Sequence, residues 1–196
     1  GARQGTVSLI ATASEVLTLL RREGVSGCLV GGLAVSVRCD PRFTRDVDLA
    51  IALQNDTQAE ALVHSLTKLG FRIDALVEQE AQKRLAMTRL ITSDDTSIDL
   101  LIASSGIEAE VVAAAEQLEV VKQIILPVAR VGHLIALKLL SVAPGRETDH
   151  SDLRNLAHVA DEVEWQWAHD AVRLVVERGY SRDRDLESDL QKLRRA

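Results

Sequence analysis

Two aspartates lie one residue apart at the start of the segment DVDLAIAL, which begins at Asp46. Apolar and other residues alternate there, which predicts a β-strand over residues 46–53. Side chains alternate between the two faces of a strand, so Asp46 and Asp48 share one face. Two such carboxylates repel each other unless a cation lies between them, and oxygen ligands suit Mg²⁺ or Mn²⁺. The alternative is the solvated face of an edge strand.

Asp99 repeats this arrangement further along the chain, in the segment TSIDLLIA. Apolar residues alternate with it, which predicts a strand over residues 97–102 with Asp99 on the face opposite to them. Three carboxylates carried on strands could together hold two metal ions. Such ions activate an attacking oxygen and stabilise a leaving phosphate. Asp94 and Asp95 differ, because the turn residues around them explain both.

Gly31 and Gly32 lie between a predicted buried strand and a predicted short helix. A glycine pair lets the backbone approach a ligand closely, and a helix N-terminus directs N–H groups towards an anion. Thr44 shares a face with Asp46 and would bring a hydroxyl close to the metals and a bound nucleotide. This combination is typical of a nucleoside triphosphate site. The alternatives are an ordinary tight turn for the glycines and ordinary strand propensity for Thr44.

Hydrophobic periodicity and boundary residues predict the elements that must position these side chains. Helices are predicted over residues 8–22, 33–38, 55–69 and 108–117. Strands are predicted over residues 27–31, 46–53, 71–77, 85–92 and 97–102, with a hairpin turn at 93–96 and an extended segment at 120–126. After Pro127 the pattern is helical, over residues 131–142, 149–161, 164–178 and 183–194. The predicted fold class is α/β, with an N-terminal mixed-sheet domain over residues 1–127 and a C-terminal helical bundle over residues 128–196.

The composition limits the partners. The chain has 196 residues, a net charge of −6 and only 3% aromatic residues. A nucleic-acid site is normally basic, and few aromatics argue against a stacking platform for single strands. A nucleic acid would therefore need a local basic patch, for which Arg38, Arg42 and Arg45 are the candidates. Basic and acidic residues alternate in the C-terminal tail from Arg182 onwards, which favours a solvated helix face there.

The two cysteines, Cys28 and Cys39, show neither metal nor redox spacing. No apolar run reaches the length of a transmembrane helix, and the N-terminus lacks the pattern of a signal peptide. We therefore expect a cytoplasmic protein that has no membrane partner.

The predicted helical region adds three candidate residues. Lys138 is the only charge in the segment LIALKLL, so it either extends from the edge of a core or supplies a positive charge for phosphate. Asp149 and Asp152 are three residues apart and lie on one face of a predicted helix. Their alternative role is to interact favourably with the dipole at the helix N-terminus.

The combined pattern resembles the DNA polymerase β-type nucleotidyltransferase superfamily. The stretch VGGLAVSVRCDPRFTRDVDLAI is most similar to the abortive-infection AbiE-type toxins and the mycobacterial MenT toxins. The stretch HLIALKLLSVAPGRETDHSDLRNL resembles the helical segment of the same group. The resemblance covers residues 25–156 by motif placement. Two positions depart from it, because Gly32 replaces a common serine and Thr148 replaces a lysine of several relatives.

The resemblance implies a role for each matching residue. Gly31 and Gly32 would hold the triphosphate, and Asp46, Asp48 and Asp99 would bind the metals. Asp99 would also help to deprotonate the attacking hydroxyl. The C-terminal contributions would be contacts of Lys138 with the phosphates or base, and completion of the cleft by Arg146, Asp149 and Asp152. Lys138 and Asp152 are thus candidate catalytic residues, and Arg146 and Asp149 candidate nucleotide-binding residues.

The resemblance also implies a function. The chain would be a bacterial toxin that transfers a nucleoside monophosphate, with a pyrimidine base, from the triphosphate to the 3′ acceptor end of tRNA. This transfer would block translation, and a cognate antitoxin would neutralise the toxin. One alternative is a small-molecule nucleotidyltransferase of the aminoglycoside-modifying kind, which the acidic net charge suits. Another is a non-catalytic nucleotide-binding or antitoxin-like partner. The transferred nucleotide, the acceptor, the antitoxin and the oligomeric state stay open at this stage.

Overall fold

Seven strands and eight helices make up the described part of a computed structural model, which comprises residues 2–80, 82–143 and 147–196. The strands are β1 (Ser26–Val30), β2 (Asp46–Ala52), β3 (Arg72–Gln79), β4 (Arg84–Ile91), β5 (Ser97–Leu101), β6 (Glu116–Val121) and β7 (Ile124–Val128). The helices are α1 (Ala2–Arg22), α2 (Gly31–Arg38), α3 (Asp56–Lys68), α4 (Glu108–Ala113), α5 (Val131–Ser141), α6 (Glu147–Val159), α7 (Glu162–Glu177) and α8 (Leu186–Arg195). The strands form one mixed sheet in the order β3-β4-β5-β2-β1-β7-β6.

The central strand of this sheet is β2, and its two partners bring the predicted site residues to one end of the sheet. It runs antiparallel to β1 and parallel to β5. The register pairs Asp48 with Val30 on one side and with Asp99 on the other. Because Gly31 follows Val30 directly, the glycine pair lies next to the Asp48 carboxylate, and Asp99 lies one strand further along the sheet.

The two faces of β2 differ in burial, as the alternation of its side chains predicts. Val47, Leu49 and Ile51 are fully buried, whereas Asp46 and Asp48 are half-buried. The helices α1 and α4 both pack against β1 and β2. Burial of this apolar face fixes the register, since a slip of one residue would exchange the two faces and bury the aspartates.

Most predicted elements are confirmed, but the segment between residues 108 and 128 differs. The predicted helix ends at Ala113, and the predicted extended segment is a hairpin of β6 and β7. Its turn has a left-handed residue, Gln123, with φ of 68°, where glycine would be the usual turn residue. The backbone N–H of Gln123 donates to Glu119 Oε1 at 2.8 Å, which stabilises the turn without glycine.

Pro127 lies inside β7 rather than after the last strand. A proline is tolerated there because β7 pairs with β1 only at Val128 and Leu29, so its missing N–H removes no bond on that side. The sheet therefore extends to Val128, and the division of the chain into two domains stays a prediction.

The apolar helix α5 anchors the C-terminal helices. It packs against α6, α7 and α8, and also against α2. A Cβ at Gly132 would lie 2.2 Å from the carbonyl oxygen of Glu164, so only glycine permits the close crossing of α5 and α7. The Glu164 carboxylate accepts from the backbone N–H of Gly132 at 2.7 Å and pairs with Arg130 at 2.9 Å. Within the described ranges, no helix is long and apolar enough to cross a membrane.

Candidate active site

Asp48 is a carboxylate whose pKa is clearly raised by its surroundings. Burial, together with the neighbouring carboxylates of Asp99 and Asp46, raises the pKa of Asp48 to about 6. Lys138 and a hydrogen bond from the backbone N–H of Gly32 offset part of this rise. A half-buried carboxylate crowded by two others is a favourable place for a cation, because a cation removes the repulsion.

Gly31 makes this arrangement possible. Its φ is +64°, and a Cβ there would lie 2.0 Å from Asp48 Oδ2. The first residue of α2 must therefore be glycine both for its backbone conformation and for the space that the Asp48 carboxylate occupies.

We expect the substitution Gly31→Ala to lower the free energy of unfolding by about 3 kcal/mol, since it adds left-handed strain and a steric clash. It should also lower activity at least about tenfold, because Asp48 has to move. Urea unfolding measures the first effect. The matched control is Gly70→Ala, because Gly70 has φ of +98° but nothing within 4 Å of the added Cβ. Equal losses in the two variants would contradict the prediction.

The phosphate cavity is defined here as the space of about 430 Å³ lined by Gly32, Arg42, Thr44, Asp46, Asp48, Lys138 and residues 147–149. A Cβ at Gly32 would lie 2.5 Å from a guanidinium nitrogen of Arg42 and 3.1 Å from Thr44 Oγ1. The absence of a side chain at Gly32 thus leaves space where a guanidinium and a hydroxyl meet the start of α2. The residue before α2, Val30, makes no capping hydrogen bond, so the first turn still offers N–H donors beyond that of Gly32, which Asp48 accepts.

A chain of four charges extends from this cavity into the helical region. Asp152, which is fully buried, accepts from Arg42 Nε at 2.6 Å and from Arg42 Nη2 at 2.7 Å. It also pairs with Lys138 Nζ at 2.8 Å, and Lys138 in turn contacts Asp149 at 2.8 Å. Asp152 thus holds both Arg42 and Lys138 at the phosphate cavity. The predicted nucleotide-binding residue Arg146 lies outside the described residues.

Asp99 has a partner that the sequence analysis did not predict. Arg89 on β4 donates to it through Nε and Nη2, both at 2.7 Å. Among the described residues, no group of three or more acidic, histidine or cysteine side chains is arranged to hold a metal ion. Arg89 thus occupies oxygens of Asp99 that the predicted three-carboxylate metal site would use. Metal binding by these carboxylates stays a prediction.

Replacing Arg89 with methionine tests this competition. We expect Arg89→Met to raise the affinity for Mn²⁺ by about tenfold, because Asp99 becomes available as a third carboxylate. Without metal the variant should be less stable than the wild type, since Asp99 is left buried without its partner. Electron paramagnetic resonance titration of Mn²⁺ and thermal unfolding measure the two effects.

The matched control for this experiment is Arg84→Met on the same strand. Arg84 pairs with Asp56 at 3.5 Å, away from the site. An unchanged Mn²⁺ affinity in Arg89→Met, or an equal rise in the control, would contradict the competition.

The predicted basic patch is mostly engaged inside the molecule. Arg38 pairs with Glu116 at 2.7 Å and donates to the backbone carbonyls of Val128 and Ala129. Arg42 is held by Asp152, as described above. Only the third arginine of the patch, Arg45, is exposed, and it stacks over a phenylalanine ring at 5.5 Å. The patch thus offers a polyanion far less positive charge than the sequence analysis predicted.

Sequence reasoning missed Arg89 and misassigned Arg182. The predicted hairpin contained the signal for Arg89, because a turn at residues 93–96 places Arg89 opposite Asp99. Arg182 was expected on a solvated helix face, but it precedes α8 and bonds to Ser104 and the carbonyl of Leu140. Nothing in its local pattern predicts that contact, which joins residues far apart in the chain.

No protein-family model matches this sequence, and no curated protein matches it. Its fold does match solved structures. An antigenic nucleotidyltransferase-like protein from Paracoccidioides brasiliensis has a TM-score of 0.53 and 18% identity, over 93% of this chain and 92% of that one. The present chain therefore has an α/β fold like that of this nucleotidyltransferase-like protein, which confirms the predicted fold class.

Two antibiotic-modifying enzymes are among the other matches. A lincosamide antibiotic adenylyltransferase bound to lincomycin has a TM-score of 0.49 and 16% identity, over 74% of this chain and 94% of that one. The enzyme ANT(2″)-Ia in complex with adenylyl-2″-tobramycin has a TM-score of 0.46 and 18% identity, over 96% and 95% of the two chains.

Proposed function

We propose that this protein is a metal-dependent nucleotidyltransferase. It transfers a nucleoside monophosphate from a nucleoside triphosphate to an acceptor hydroxyl and releases pyrophosphate. The observation that carries the proposal is the meeting of Asp46 and Asp48 with the start of α2, where Arg42 and Lys138 line the same cavity. Paired carboxylates beside cations and free N–H donors are what a metal-bound triphosphate requires.

The donor set fits a divalent cation, because two half-buried carboxylates share one face of β2 and the pKa of Asp48 is raised by burial and by the neighbouring carboxylates. Asp46 and Asp48 would hold the ion, Mg²⁺ or Mn²⁺. When bound, it would neutralise charge on the phosphates that the reaction displaces.

The triphosphate would lie in the phosphate cavity. Lys138 and Arg42 would contact its oxygens as cations held by Asp152. The Thr44 hydroxyl and the backbone N–H groups at the start of α2 would donate hydrogen bonds to the same oxygens. Because these donors are positioned before the substrate arrives, little reorganisation accompanies the reaction.

In the transfer, the acceptor oxygen forms a bond to the α-phosphorus while the bond from this phosphorus to the bridging oxygen of the β-phosphate breaks. Pyrophosphate leaves with the electron pair, and the hydroxyl proton goes to a carboxylate. Asp99 is the proposed proton acceptor. Arg89 occupies one position on each of its oxygens, and a carboxylate has about four such positions, so Asp99 still has room to accept.

For the acceptor, we retain the 3′ end of tRNA as the first candidate, with a cognate antitoxin as partner. Its support is the sequence resemblance to the toxin nucleotidyltransferases. A small-molecule acceptor is the second candidate, favoured by the net charge of −6 and by the internal engagement of Arg38 and Arg42. The acidic net charge and the engagement of these two arginines leave little exposed positive charge for a polyanion.

The test incubates the protein with Mg²⁺ and each of the four nucleoside triphosphates separately, with total tRNA or with an aminoglycoside. Mass spectrometry of the acceptor reports the added nucleotide. We expect one acceptor to gain a nucleotide monophosphate, and Asp46→Asn to abolish this gain. The matched control is Asp94→Asn, because Asp94 lies in the exposed turn between β4 and β5.

Two results would contradict the proposal. One is nucleotide transfer that persists undiminished in Asp46→Ala and Asp48→Ala, which would show that these residues do not form the active site. The other is no transfer to any acceptor combined with no growth arrest on induced expression, which would favour a non-catalytic binding role.

A further inference from the structure

A second cavity adjoins the phosphate cavity. It has a volume of about 350 Å³, and Asp46, Asp48, Lys138 and Asp149 line both cavities. We call it the leucine cavity, because Leu101, Leu134, Leu137 and Leu140 form its apolar wall. An in-line displacement needs the donor and the acceptor on opposite sides of the reacting phosphorus. Because the two cavities share the Asp46 and Asp48 pair, one of them can hold the donor while the other holds the acceptor.

Arg182 lines the leucine cavity and joins two of its walls. Its Nη2 donates to the carbonyl oxygen of Ser104 at 3.0 Å and to Ser104 Oγ at 3.2 Å. Its Nη1 lies 3.4 Å from the carbonyl oxygen of Leu140, at the end of α5. A guanidinium has five N–H donors, so these three contacts leave donors for a ligand.

The backbone at Arg182 is strained. Arg182 and Asp183 both adopt left-handed conformations, with φ of 55° and 57°. Two consecutive non-glycine residues in this region are unfavourable and persist only where the surroundings hold them. Arg184 supplies one such anchor, because its Nη1 donates to the carbonyl of Val142 at 2.7 Å.

The acids that line the leucine cavity, apart from the proposed metal ligands, already have partners. Asp99 is paired with Arg89, and Asp149 contacts Lys138. Glu108 is buried and accepts from the backbone N–H groups of Ser104 and Ser105 at 2.8 and 2.7 Å. A polycationic ligand would therefore find no unengaged carboxylate beyond Asp46 and Asp48.

Arg182 is the exception among these charges. Within the described ranges, no carboxylate lies at ion-pair distance from it. Two other arginines of the same region do have such partners, since Arg178 pairs with Glu110 and Arg184 with Asp189. The leucine cavity thus offers an incoming molecule an apolar wall and a guanidinium that has no ion-pair partner in the described part of the chain.

We propose that the leucine cavity binds the acceptor, and that this acceptor is a phosphate-bearing nucleotide unit whose phosphate contacts Arg182. Its base or sugar packs on the leucine wall, and its hydroxyl points towards Asp46 and Asp48. The inference rests on the proposed nucleotidyltransferase function. A free nucleotide and the terminal nucleotide of an RNA share this chemistry.

The test measures binding of AMP and of adenosine by calorimetry, with Mg²⁺ and α,β-methylene-ATP present to fill the donor site. We expect AMP to bind at least about tenfold more tightly than adenosine, as one charge-assisted phosphate contact provides. Arg182→Gln should reduce this ratio below about threefold. Arg178→Gln is the matched control, because Arg178 pairs with Glu110 and does not line the leucine cavity, and it should preserve the ratio.

A purely structural role of Arg182 would change thermal stability without changing the ratio of AMP to adenosine affinity. An equal affinity of the wild type for both compounds would overturn the proposal. So would an Arg182→Gln variant that binds α,β-methylene-ATP more weakly but AMP normally, because the leucine cavity would then hold the donor. Tobramycin binding more tightly than AMP would also overturn it, since a polycation would then fill the cavity.

A second arm replaces AMP with a short single-stranded RNA that ends in adenosine. Loss of affinity on Arg182→Gln for either the RNA or AMP supports the proposal and identifies the source of the nucleotide unit. No loss for either probe overturns it. Binding of α,β-methylene-ATP with Mg²⁺ is the separate check on the proposed function, and its failure would contradict that function instead.

Discussion

The substitution Asp48→Asn is expected to abolish nucleotidyl transfer while making the metal-free protein more stable. Activity should fall by about 10³-fold, equivalent to about 4 kcal/mol in transition-state free energy, because one of the two proposed metal ligands is lost. Stability should rise because the folded protein holds the Asp48 carboxylate next to those of Asp99 and Asp46. Asparagine keeps the shape, and its oxygen still accepts the Gly32 hydrogen bond.

The stability gain should depend on pH in a defined direction. The pKa of Asp48 is raised by burial from 3.8 to about 6, so the folded protein binds more protons than the unfolded chain between these values. Wild-type stability therefore falls as pH rises through this window, and the substitution removes that fall. The difference between Asp48→Asn and wild type should be absent near pH 3.8 and reach about 1–2 kcal/mol at pH 7. This is less than the full pKa shift implies, because Asp48 is partly exposed.

Urea unfolding at several pH values, in EDTA and in excess Mg²⁺, measures these effects. Mg²⁺ should stabilise the wild type but not the variant, because a ligand stabilises only the state that binds it. The matched control is Asp95→Asn, which lies in the turn before β5 and is exposed. A variant that is less stable than wild type in EDTA, or that retains most of its activity, would contradict the prediction.

The substitution Asp152→Asn should have the second largest effect, through Arg42 and Lys138. Asp152 is fully buried and is the shared partner of both cations. Removing its charge leaves two partly buried cations without their common counter-charge, at a cost of about 3 kcal/mol. The KM for the triphosphate should rise about tenfold or more, because Arg42 loses its charged partner at the phosphate cavity and Lys138 keeps only its contact with Asp149.

Steady-state kinetics separate this positioning role from a catalytic one. A raised KM with kcat largely retained is the expected result, since Asp152 acts through the two cations. A collapse of kcat with an unchanged KM would contradict the geometry and support direct participation. The matched control is Asp170→Asn, because Asp170 forms an exposed ion pair with Arg173 at 3.6 Å, and such pairs contribute little.

The sequence alone was sufficient for the local features of the site. Period-2 alternation placed Asp46 and Asp48 on one face of a strand, because side-chain direction in a strand depends only on position along the chain. The glycine pair at the start of α2 was found for a similar reason, since its constraint is a backbone conformation and a close approach. The cap of α3 is equally local, since Asn55 accepts from the backbone N–H of Gln58, three residues further on, at 3.0 Å.

Two hairpins of the sheet differ in how clearly their turn residues identify them. The residues at 93–96 identified the β4–β5 hairpin, and its register already implied that Arg89 faces Asp99. The β6–β7 hairpin was missed because Gln123 adopts the left-handed conformation without being glycine or asparagine. A hydrogen bond from the backbone N–H of Gln123 to Glu119 Oε1 stabilises this turn without the usual residue, and no periodic pattern reveals it.

Only the tertiary structure decided which charges on distant elements face each other. Asp152 binds Arg42 across 110 residues of sequence, and Arg182 reaches Ser104 across 78. Periodicity places a charge on a face of its own element, but it does not say which element packs against that face. Because α5 and α6 pack against α2, Arg42 and Lys138 both contact the buried carboxylate of Asp152. The aspartate pair was therefore determined by the chain itself, and its cationic surroundings by the way the helices fold over it.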